Sequence, residues 1–406
     1  MRLIFLSFKR NILPFLLVIF AFCLVIFSKS NLIATKNGLL LWANNVVPSL
    51  FPFFVITELL SHTSIIHHIG KWCDKLMRPI FNVPGEAAFP FIMGFISGYP
   101  TGGKIVADLR QQGICTKDEG NRMLAFMNNS GPLFIISFVG ISLFGDTKTG
   151  ILLLCTHILA SITVGIILGK FSTKASINKS NLPISSVTKK SQVSISKESM
   201  TLSNFGRILG DSIQMATSTI LLIGGFVVIF SVVISILTQT HLLDYFSQLL
   251  KPILAILGFD LDFAKPILAG IVELTNGVHM VASISTKAVS QNVILCAFLL
   301  GFGGISVLFQ VFSMIAQTDL SMKKYVIGKF LQGIFAAIYT FLALYFIPML
   351  NLDIVQTCAP IAEVITFPIH FFGISNYVIL LFVILFIVCA VFSIPHAQRG
   401  RKTLSI

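Results

Sequence analysis

The sequence predicts an all-α polytopic membrane protein with about eight transmembrane helices, arranged as two inverted repeats that each contain a re-entrant helical hairpin. The prediction depends on three observations: the composition, a series of long apolar runs, and a pattern that the two halves share. Of the 406 residues, 55% are apolar and only 11% are charged, and the mean hydropathy is +0.90. Because a soluble domain carries about 25% charged residues, hydrocarbon rather than water must cover much of this surface.

Apolar runs long enough to cross a bilayer recur along the whole chain. A helix needs about 20 apolar residues to cross about 30 Å of hydrocarbon. We predict eight spans, at residues 11–28, 39–60, 121–144, 150–170, 214–238, 291–316, 325–347 and 376–394. The first run follows basic residues but lacks an obvious small-residue cleavage site, so residues 1–30 are interpreted as a retained N-terminal transmembrane helix and not as a signal peptide.

Basic residues predict the orientation of the chain in the membrane. Residues 171–203 are rich in Ser, Thr, Lys and Asn and cannot bury a core, so they are interpreted as a linker. Lys and Arg collect before the first span, in this linker and in the C-terminal tail. Since cytoplasmic loops are enriched in Lys and Arg, both termini and the linker are expected in the cytoplasm. The same rule explains the net charge of +13 without a nucleic-acid partner.

The two halves of the chain share a pattern. Arg78-Pro79 in the first half corresponds to Lys251-Pro252 in the second, 173 residues later. In both halves, a polar segment containing glycine follows, and then an apolar span that glycine interrupts. Residues 38–170 and 204–347 are therefore interpreted as two copies of one unit. The predicted topology gives the copies opposite orientations, as in many secondary transporters, and residues 348–406 add a loop, the last span and a basic tail.

Segments 84–112 and 264–290 are too polar and too interrupted to be simple spans. The first contains Pro84, Pro90 and Pro100, which would break a continuous helix. In lipid, each unpaired backbone group costs several kcal/mol. We therefore expect each segment to form a re-entrant hairpin whose tip lies inside the protein near the middle of the membrane. Free N–H groups at such a tip suit a carboxylate, and free carbonyl groups suit a cation.

The candidate solute-binding residues lie at the two hairpin tips and at a break in the third span. In the first half they are Gly98, Tyr99, Pro100, Thr101, Gly102, Gly103 and Lys104, together with Asn128, Asn129 and Ser130; in the second half they are Glu273, Thr275, Asn276 and Gly277. Charges inside a membrane are costly and therefore indicate function. Lys104 is the best candidate for attracting an anionic solute.

Structural alternatives stay open for these residues. The glycines permit close helix packing, the asparagines can hydrogen-bond neighbouring helices, and Lys104 can pair with Glu273 instead of binding a solute. Glu58, near the end of a predicted span, is interpreted as reaching the membrane interface. His62, His67 and His68 form a cluster that lacks metal-ligand spacing with a carboxylate.

Sequence motifs for other chemistries are missing. The chain has no P-loop, no Gly-x-Ser-x-Gly elbow and no His-Glu-x-x-His motif. No metal, cofactor or enzymatic activity is therefore predicted, and any transport is not driven directly by ATP on this chain.

Three segments resemble a known family. Pro48–Phe53, Gly94–Lys104 and Asn128–Pro132 resemble the sporulation integral membrane proteins of the YlbJ (SpoVV) family of endospore-forming bacteria. The resemblance implies two nucleoside-recognition Gate domains, related to repeats of concentrative nucleoside transporters, in which hairpin tips and adjoining broken helices hold the solute. It also implies delivery of dipicolinic acid, a small planar dianion, across the outer forespore membrane in support of the spore cortex.

Together, the residues and the resemblance predict a transporter that lies in a lipid bilayer and moves a small anionic solute by alternating access. A nucleoside or another small solute is an alternative substrate. A second alternative is a scaffold that recruits partners through the linker and the His62–Arg78 face. An enzyme acting on a lipid or peptide is a third, but no nucleophile–base arrangement supports it.

The predicted orientation can be tested by cysteine labelling. In a cysteine-free background, Ser185→Cys in the linker should react with a membrane-impermeant maleimide only from the cytoplasmic face. Thr147→Cys, in the predicted external loop at residues 145–149, should react only from the opposite face. Labelling of the linker from the external face alone would contradict both the orientation and the inverted-repeat interpretation.

Overall fold

The computed structural model describes residues 2–63, 65–171, 203–284 and 289–346. Within these ranges every regular element is helical. The α-helices are α1 Arg2–Ile26, α2 Ser28–Leu41, α3 Val47–Ser61, α4 Ile65–Phe81, α5 Ala88–Ser97, α6 Thr101–Gln111, α7 Lys117–Met127, α8 Thr147–Lys170, α9 Phe205–Gln239, α10 Leu242–Ile256, α11 Ala264–Val272, α12 Leu274–Ala282, α13 Val289–Phe302, α14 Gly304–Ile315 and α15 Met322–Phe346. Two π-helical segments, Trp42–Val46 and Leu133–Leu143, and two 3-10 turns, Gly85–Ala87 and Leu261–Phe263, complete them.

Membrane-spanning helices confirm the all-α polytopic fold. Four helical stretches in the described residues are long and apolar enough to cross a bilayer: Thr147–Lys170, Phe205–Gln239, Val289–Ile315 and Met322–Phe346. They match four of the predicted spans. Two bent helix pairs would raise the number of candidate spans in these residues to at most six, if each pair were one span. The predicted span at 376–394 and nearly all of the linker lie outside the described residues.

Three predicted spans differ in their helical continuity. The first, 11–28, lies almost wholly in α1, which meets α2 at an angle of 97° just beyond it. The predicted span 39–60 is not one regular helix, since it is divided between the end of α2, a π-helical turn and α3. The predicted break in span 121–144 is confirmed, because α7 ends at Met127 and a π-helix begins at Leu133. Pro132 lacks a backbone N–H, so the helix cannot continue regularly through this position.

Both predicted hairpins are present in the described residues. Helices α5 and α6 pack against each other and are joined at Gly98–Pro100, while α11 and α12 pack together and are joined at Glu273. The first hairpin turns away from α4 at 91°. The end of the second hairpin, at residues 285–288, lies outside the described residues.

Elements follow the same order in the two halves. An amphipathic helix (α4 or α10) leads into a 3-10 turn, then a hairpin, then a span broken by glycine, then a long closing helix (α8 or α15). Corresponding elements begin 171 to 177 residues apart, close to the spacing in the sequence pattern. The domain bounds and the inverted relation of the halves stay predictions.

Contacts between the halves form a shared core. Helix α15 of the second half packs against α7 and α8 of the first, and α14 packs against α6. One apolar cluster joins Ile135 and Leu153 of the first half to Val278 and Leu299 of the second. The first hairpin and the break after α7 therefore contact the second half.

Glycine permits the first hairpin to approach α7 closely. A Cβ at Gly94 or at Gly102 would overlap the backbone carbonyl oxygen of Met127, at the end of α7. Both arms of the hairpin therefore contact the same carbonyl group. At Gly103 the nearest atoms are the methyl groups of Val311, at 3.3 Å from an added Cβ, which leaves more room.

Substitution of Gly102 should separate the hairpin from α7. Because the obstructing atom belongs to the backbone, we expect Gly102→Ala to destabilise the protein by about 1–3 kcal/mol or more and Gly102→Val to abolish activity. Gly210→Ala is the control, since an added Cβ there meets nothing within 4 Å. Thermal unfolding of the purified variants measures the difference. A Gly102→Val variant that accumulates and functions normally would contradict this placement of the hairpin.

Candidate functional site

The first hairpin tip lies against the break that follows α7. Gly98 has a φ of +81°, and a Cβ there would lie 2.7 Å from the backbone nitrogen of Gly131. The second half has the same arrangement. Gly304, with a φ of +80°, packs on the second hairpin, so that an added Cβ would lie 2.9 Å from the carbonyl oxygen of Gly270. In each half, the hairpin and the broken span therefore meet.

Asn128 connects three elements at this junction. Its Oδ1 accepts a hydrogen bond from the backbone N–H of Gly103 at 3.3 Å, and its Nδ2 donates to the hydroxyl of Tyr325 at 2.7 Å. Its backbone carbonyl oxygen accepts a hydrogen bond from Nζ of Lys329 at 2.8 Å. The buried backbone and amide groups at the end of α7 are thereby paired, as a low-dielectric environment requires.

The next two residues of the break are also held by the protein. Nδ2 of Asn129 donates to the carbonyl oxygen of Phe126 at 2.8 Å, and its Oδ1 accepts from Nε2 of Gln332 at 2.8 Å. The backbone N–H of Ser130 donates to Nε2 of His157 at 3.2 Å. The two asparagine side chains thus bond neighbouring helices, which is the structural alternative to lining a solute site.

Three residues on α15 belong to this network and were missed by the sequence interpretation. Tyr325, Lys329 and Gln332 are all fully buried. Nζ of Lys329 donates to Oε1 of Gln332 at 2.6 Å and lies 4.9 Å from the centre of the Tyr99 ring. Their spacing of four and three residues places them on one face of a helix. A lysine on such a face, inside an otherwise apolar span, is the signal that could have identified them.

Tyr99 docks the first hairpin tip on the second half. Its hydroxyl donates to the carbonyl oxygen of Leu300 at 3.1 Å, and its ring lies beside Gly303, at the break between α13 and α14. The predicted tip residue is therefore buried and has partners in the other half.

Lys104 pairs with Glu58, and the predicted alternative pairing with Glu273 is wrong. Nζ of Lys104 lies 3.1 Å from Oε2 of Glu58 on α3. Glu58 is only 4% exposed, so its interpretation as an interfacial residue is also wrong. Nε2 of His62, one turn further along the chain, lies 3.9 Å from the same carboxylate. Lys104 and Glu273 were considered together because both lie close to a hairpin tip, and the sequence did not indicate that α3 covers the face of α6 that carries Lys104.

Glu273 caps its own hairpin arm. Its two carboxylate oxygens accept hydrogen bonds from the backbone N–H groups of Thr275, at 3.0 Å, and Asn276, at 2.7 Å. Nδ2 of Asn276 donates to the hydroxyl of Ser231 on α9 at 3.2 Å. Gly277 packs directly on Gly270 of the other arm. The N-terminus of α12, where a solute carboxylate was expected, thus holds a carboxylate of the protein.

A cleft lies between α3 and the second arm of the first hairpin. It is partly open, and the space between its atoms, open solvent included, amounts to about 520 Å³. Its charged and polar lining consists of Glu58, Thr101, Lys104, Asp108 and Gln112, together with Thr57 of α3 and Thr219 of α9. The hydroxyl of Thr101, a buried residue, has no hydrogen-bond partner among the described residues. Of the predicted site residues, Thr101 and Lys104 therefore line this cleft, whereas Asn128, Asn129 and Ser130 lie in the buried network behind it.

Helical hairpins, each docked on a broken span within one shared core, define an all-α polytopic membrane protein. The family described as Gate, nucleoside recognition, matches residues 43–171 and 220–318. The Sporulation integral membrane protein YlbJ of Bacillus subtilis (strain 168) is 34% identical over 305 residues, 74% of each chain. The chain therefore belongs to the YlbJ family of Gate-containing membrane proteins. No solved structure matches.

The bond between Asn128 and Tyr325 joins the break in the first half to α15 in the second. Tyr325→Phe removes the hydroxyl and leaves the buried amide of Asn128 without this acceptor, so a loss of about 1–3 kcal/mol in unfolding free energy is expected. In a double-mutant cycle with Asn128→Ala, the two losses should be less than additive, by at least about 0.5 kcal/mol. Simple additivity in thermal unfolding would contradict this connection.

Proposed function

We propose that this protein is a membrane transporter that moves a small anionic solute by alternating access, and that dipicolinic acid is the first candidate. The observation that supports this most directly is the cleft beside the first hairpin, where Lys104 is held by Glu58 next to the unpartnered hydroxyl of Thr101. Ionisable side chains at membrane depth are costly and indicate solute or ion pathways.

Carboxylate exchange at Lys104 is the proposed binding step. The ammonium already holds one carboxylate, that of Glu58, at 3.1 Å. A solute carboxylate that enters the cleft replaces it and retains the attraction, which is about 4 kcal/mol at 4 Å and an effective dielectric of 20, before desolvation. The released carboxylate of Glu58 can then pair with His62, if that imidazole is protonated, since its Nε2 is 3.9 Å from Glu58.

Apolar walls in the same cleft suit a planar ring. Phe54, Phe89 and Ile105 line it alongside the charged pair. Binding sites for small molecules usually combine apolar walls with a few placed polar groups. A pyridine ring with two carboxylates, the solute that the family resemblance implies, presents both features.

The cellular setting is proposed from the relative. YlbJ of Bacillus subtilis is called a sporulation integral membrane protein, and we extend sporulation to this chain. The outer forespore membrane, with termini and linker in the cytoplasm, is the location that the resemblance and the basic residues support.

A neutral polar solute such as a nucleoside is the second candidate. The pairing of Lys104 with Glu58 leaves no net charge on that pair, and Thr101 and Gln112 offer hydroxyl and amide groups that suit a nucleoside. The description of the matching family as nucleoside recognition favours the same class. Deleting most of residues 171–203 distinguishes both from a scaffold that acts through the linker. A scaffold should lose its function, whereas a transporter should largely retain it.

Substitution of the charged pair distinguishes an anion from a nucleoside. Lys104→Met, which keeps the stem and removes the charge, should weaken dipicolinate binding several-fold, since even about 1 kcal/mol is a fivefold change in Kd. Glu58→Gln should strengthen it, because the competing carboxylate is removed. Titration calorimetry of purified protein with dipicolinate and with uridine provides the measurement.

Uridine binding should change little in either variant, and Lys323→Met, on the exposed start of α15, is the control for a general loss of positive charge. Opposite effects of the two substitutions on dipicolinate would support carboxylate exchange. Equal effects on dipicolinate and uridine would contradict the anion site and favour the nucleoside.

A further inference from the structure

Lys329 is a buried basic residue that the proposed solute site does not use. Lys329 is fully buried about two turns into α15, which spans Met322–Phe346. The described partners of its ammonium are the carbonyl oxygen of Asn128 at 2.8 Å, Oε1 of Gln332 at 2.6 Å and the face of the Tyr99 ring. A carbonyl, an amide oxygen and an aromatic face all attract positive charge. None of these partners is a carboxylate, so the surroundings are those of a cation-binding site.

The place of this ammonium in the fold is equally specific. Asn128 is the C-terminal capping residue of α7, where the helix stops inside the protein. The C-terminal end of a helix carries partial negative charge and favours cations. In transporters with broken helices, such ends and unwound carbonyl groups coordinate the coupling Na⁺ or H⁺. The Lys329 ammonium therefore lies where this architecture takes up a monovalent cation.

Close packing explains how a lysine on another helix reaches this position. Gly328 lies so near to α7 that an added Cβ would be 2.6 Å from Cβ of Ala125. The backbones of α7 and α15 are therefore in close contact one turn before the break. Lys329 is the next residue, and its extended side chain is long enough to place Nζ 2.8 Å from the carbonyl oxygen of Asn128.

We propose that Lys329 supplies a tethered cation at the broken end of α7, in place of a free coupling cation, and so joins the first hairpin tip to the second half without Na⁺ or K⁺. Tyr99 connects the tip to this cation, and Asn128 connects it to the hairpin arm through the N–H of Gly103. His157 and Tyr325, the other titratable groups at the network, contact Gln332 and Asn128, respectively. The inference concerns the assembly of the tip and not the identity of the solute.

Cation rescue of a lysine-free variant tests the proposal. Lys329→Ala removes the tethered cation and opens a space of similar size. Thermal unfolding of the purified protein, without solute, is compared in choline, sodium, potassium and methylammonium chloride at equal ionic strength. We expect the wild-type Tm to be the same in all four salts. The Tm of Lys329→Ala should be lower by several degrees in choline and should rise saturably with methylammonium, which mimics the lost group.

Lys323→Ala on the exposed first turn of α15 is the matched control, and its Tm should show no dependence on the cation. A Lys329→Ala variant that is as stable as wild type in choline, or that no small cation stabilises, would overturn the proposal. The proposal would also be overturned if sodium raised the Tm above its value in choline by the same amount in wild type and in Lys329→Ala, since the cation site would then be elsewhere.

A second pair of variants applies if Lys329→Ala fails to accumulate. Lys329→Arg keeps the charge and Lys329→Met keeps only the approximate length of the side chain. The proposal requires more folded protein from the arginine variant than from the methionine variant. Equal amounts would overturn it. Because no solute is present in these measurements, their outcome is independent of carboxylate exchange at Lys104.

Discussion

Backbone groups at the helix breaks impose the constraint on which the rest of the structure depends. Where α7 and the hairpin arms end inside the protein, their N–H and carbonyl groups lose helical partners, and lipid offers none. The break after α7 is paired by Lys329 and His157, which belong to other helices. The second tip is paired by Glu273 of its own hairpin. The break after α7 is thus stabilised by side chains from other helices, and the second hairpin tip by a carboxylate of its own hairpin.

This constraint separates polar residues that pair the backbone from polar residues that can receive a solute. The side-chain oxygen and nitrogen of Asn128 and the carboxylate oxygens of Glu273 all have hydrogen-bond partners in the protein, so these residues stabilise the breaks. Thr101 and Lys104 face the cleft, where a hydroxyl is unpartnered and an ion pair is partly exposed. A polar residue deep in the membrane is therefore not a binding residue on that ground alone. It can receive a solute only where its polar atoms are not already paired within the protein.

Local sequence signals predicted the order of the helices, the hairpins and the glycine breaks, because proline, glycine and apolar run length act over a few neighbouring residues. Pairings between distant helices were not predictable in this way. Lys104 is paired with Glu58, 46 residues away, and not with Glu273. The partner depends on which helix covers α6. Lys329 did carry a local signal, its apolar context and its spacing from Tyr325, but the pattern could not indicate that the break after α7 lies opposite it.

Helix α6 connects the residues that line the cleft with the buried network around Asn128. Lys104 extends from it into the cleft towards Glu58, while the backbone N–H of the preceding residue, Gly103, donates to Asn128 in the buried network. Adjacent residues on a rigid helix cannot move independently. If exchange of carboxylates at Lys104 shifts α6, the length of the Gly103–Asn128 hydrogen bond should change with it. Since the carbonyl oxygen of Asn128 also accepts a hydrogen bond from Nζ of Lys329, we expect exchange at the cleft to affect the attachment of the hairpin tip to the second half.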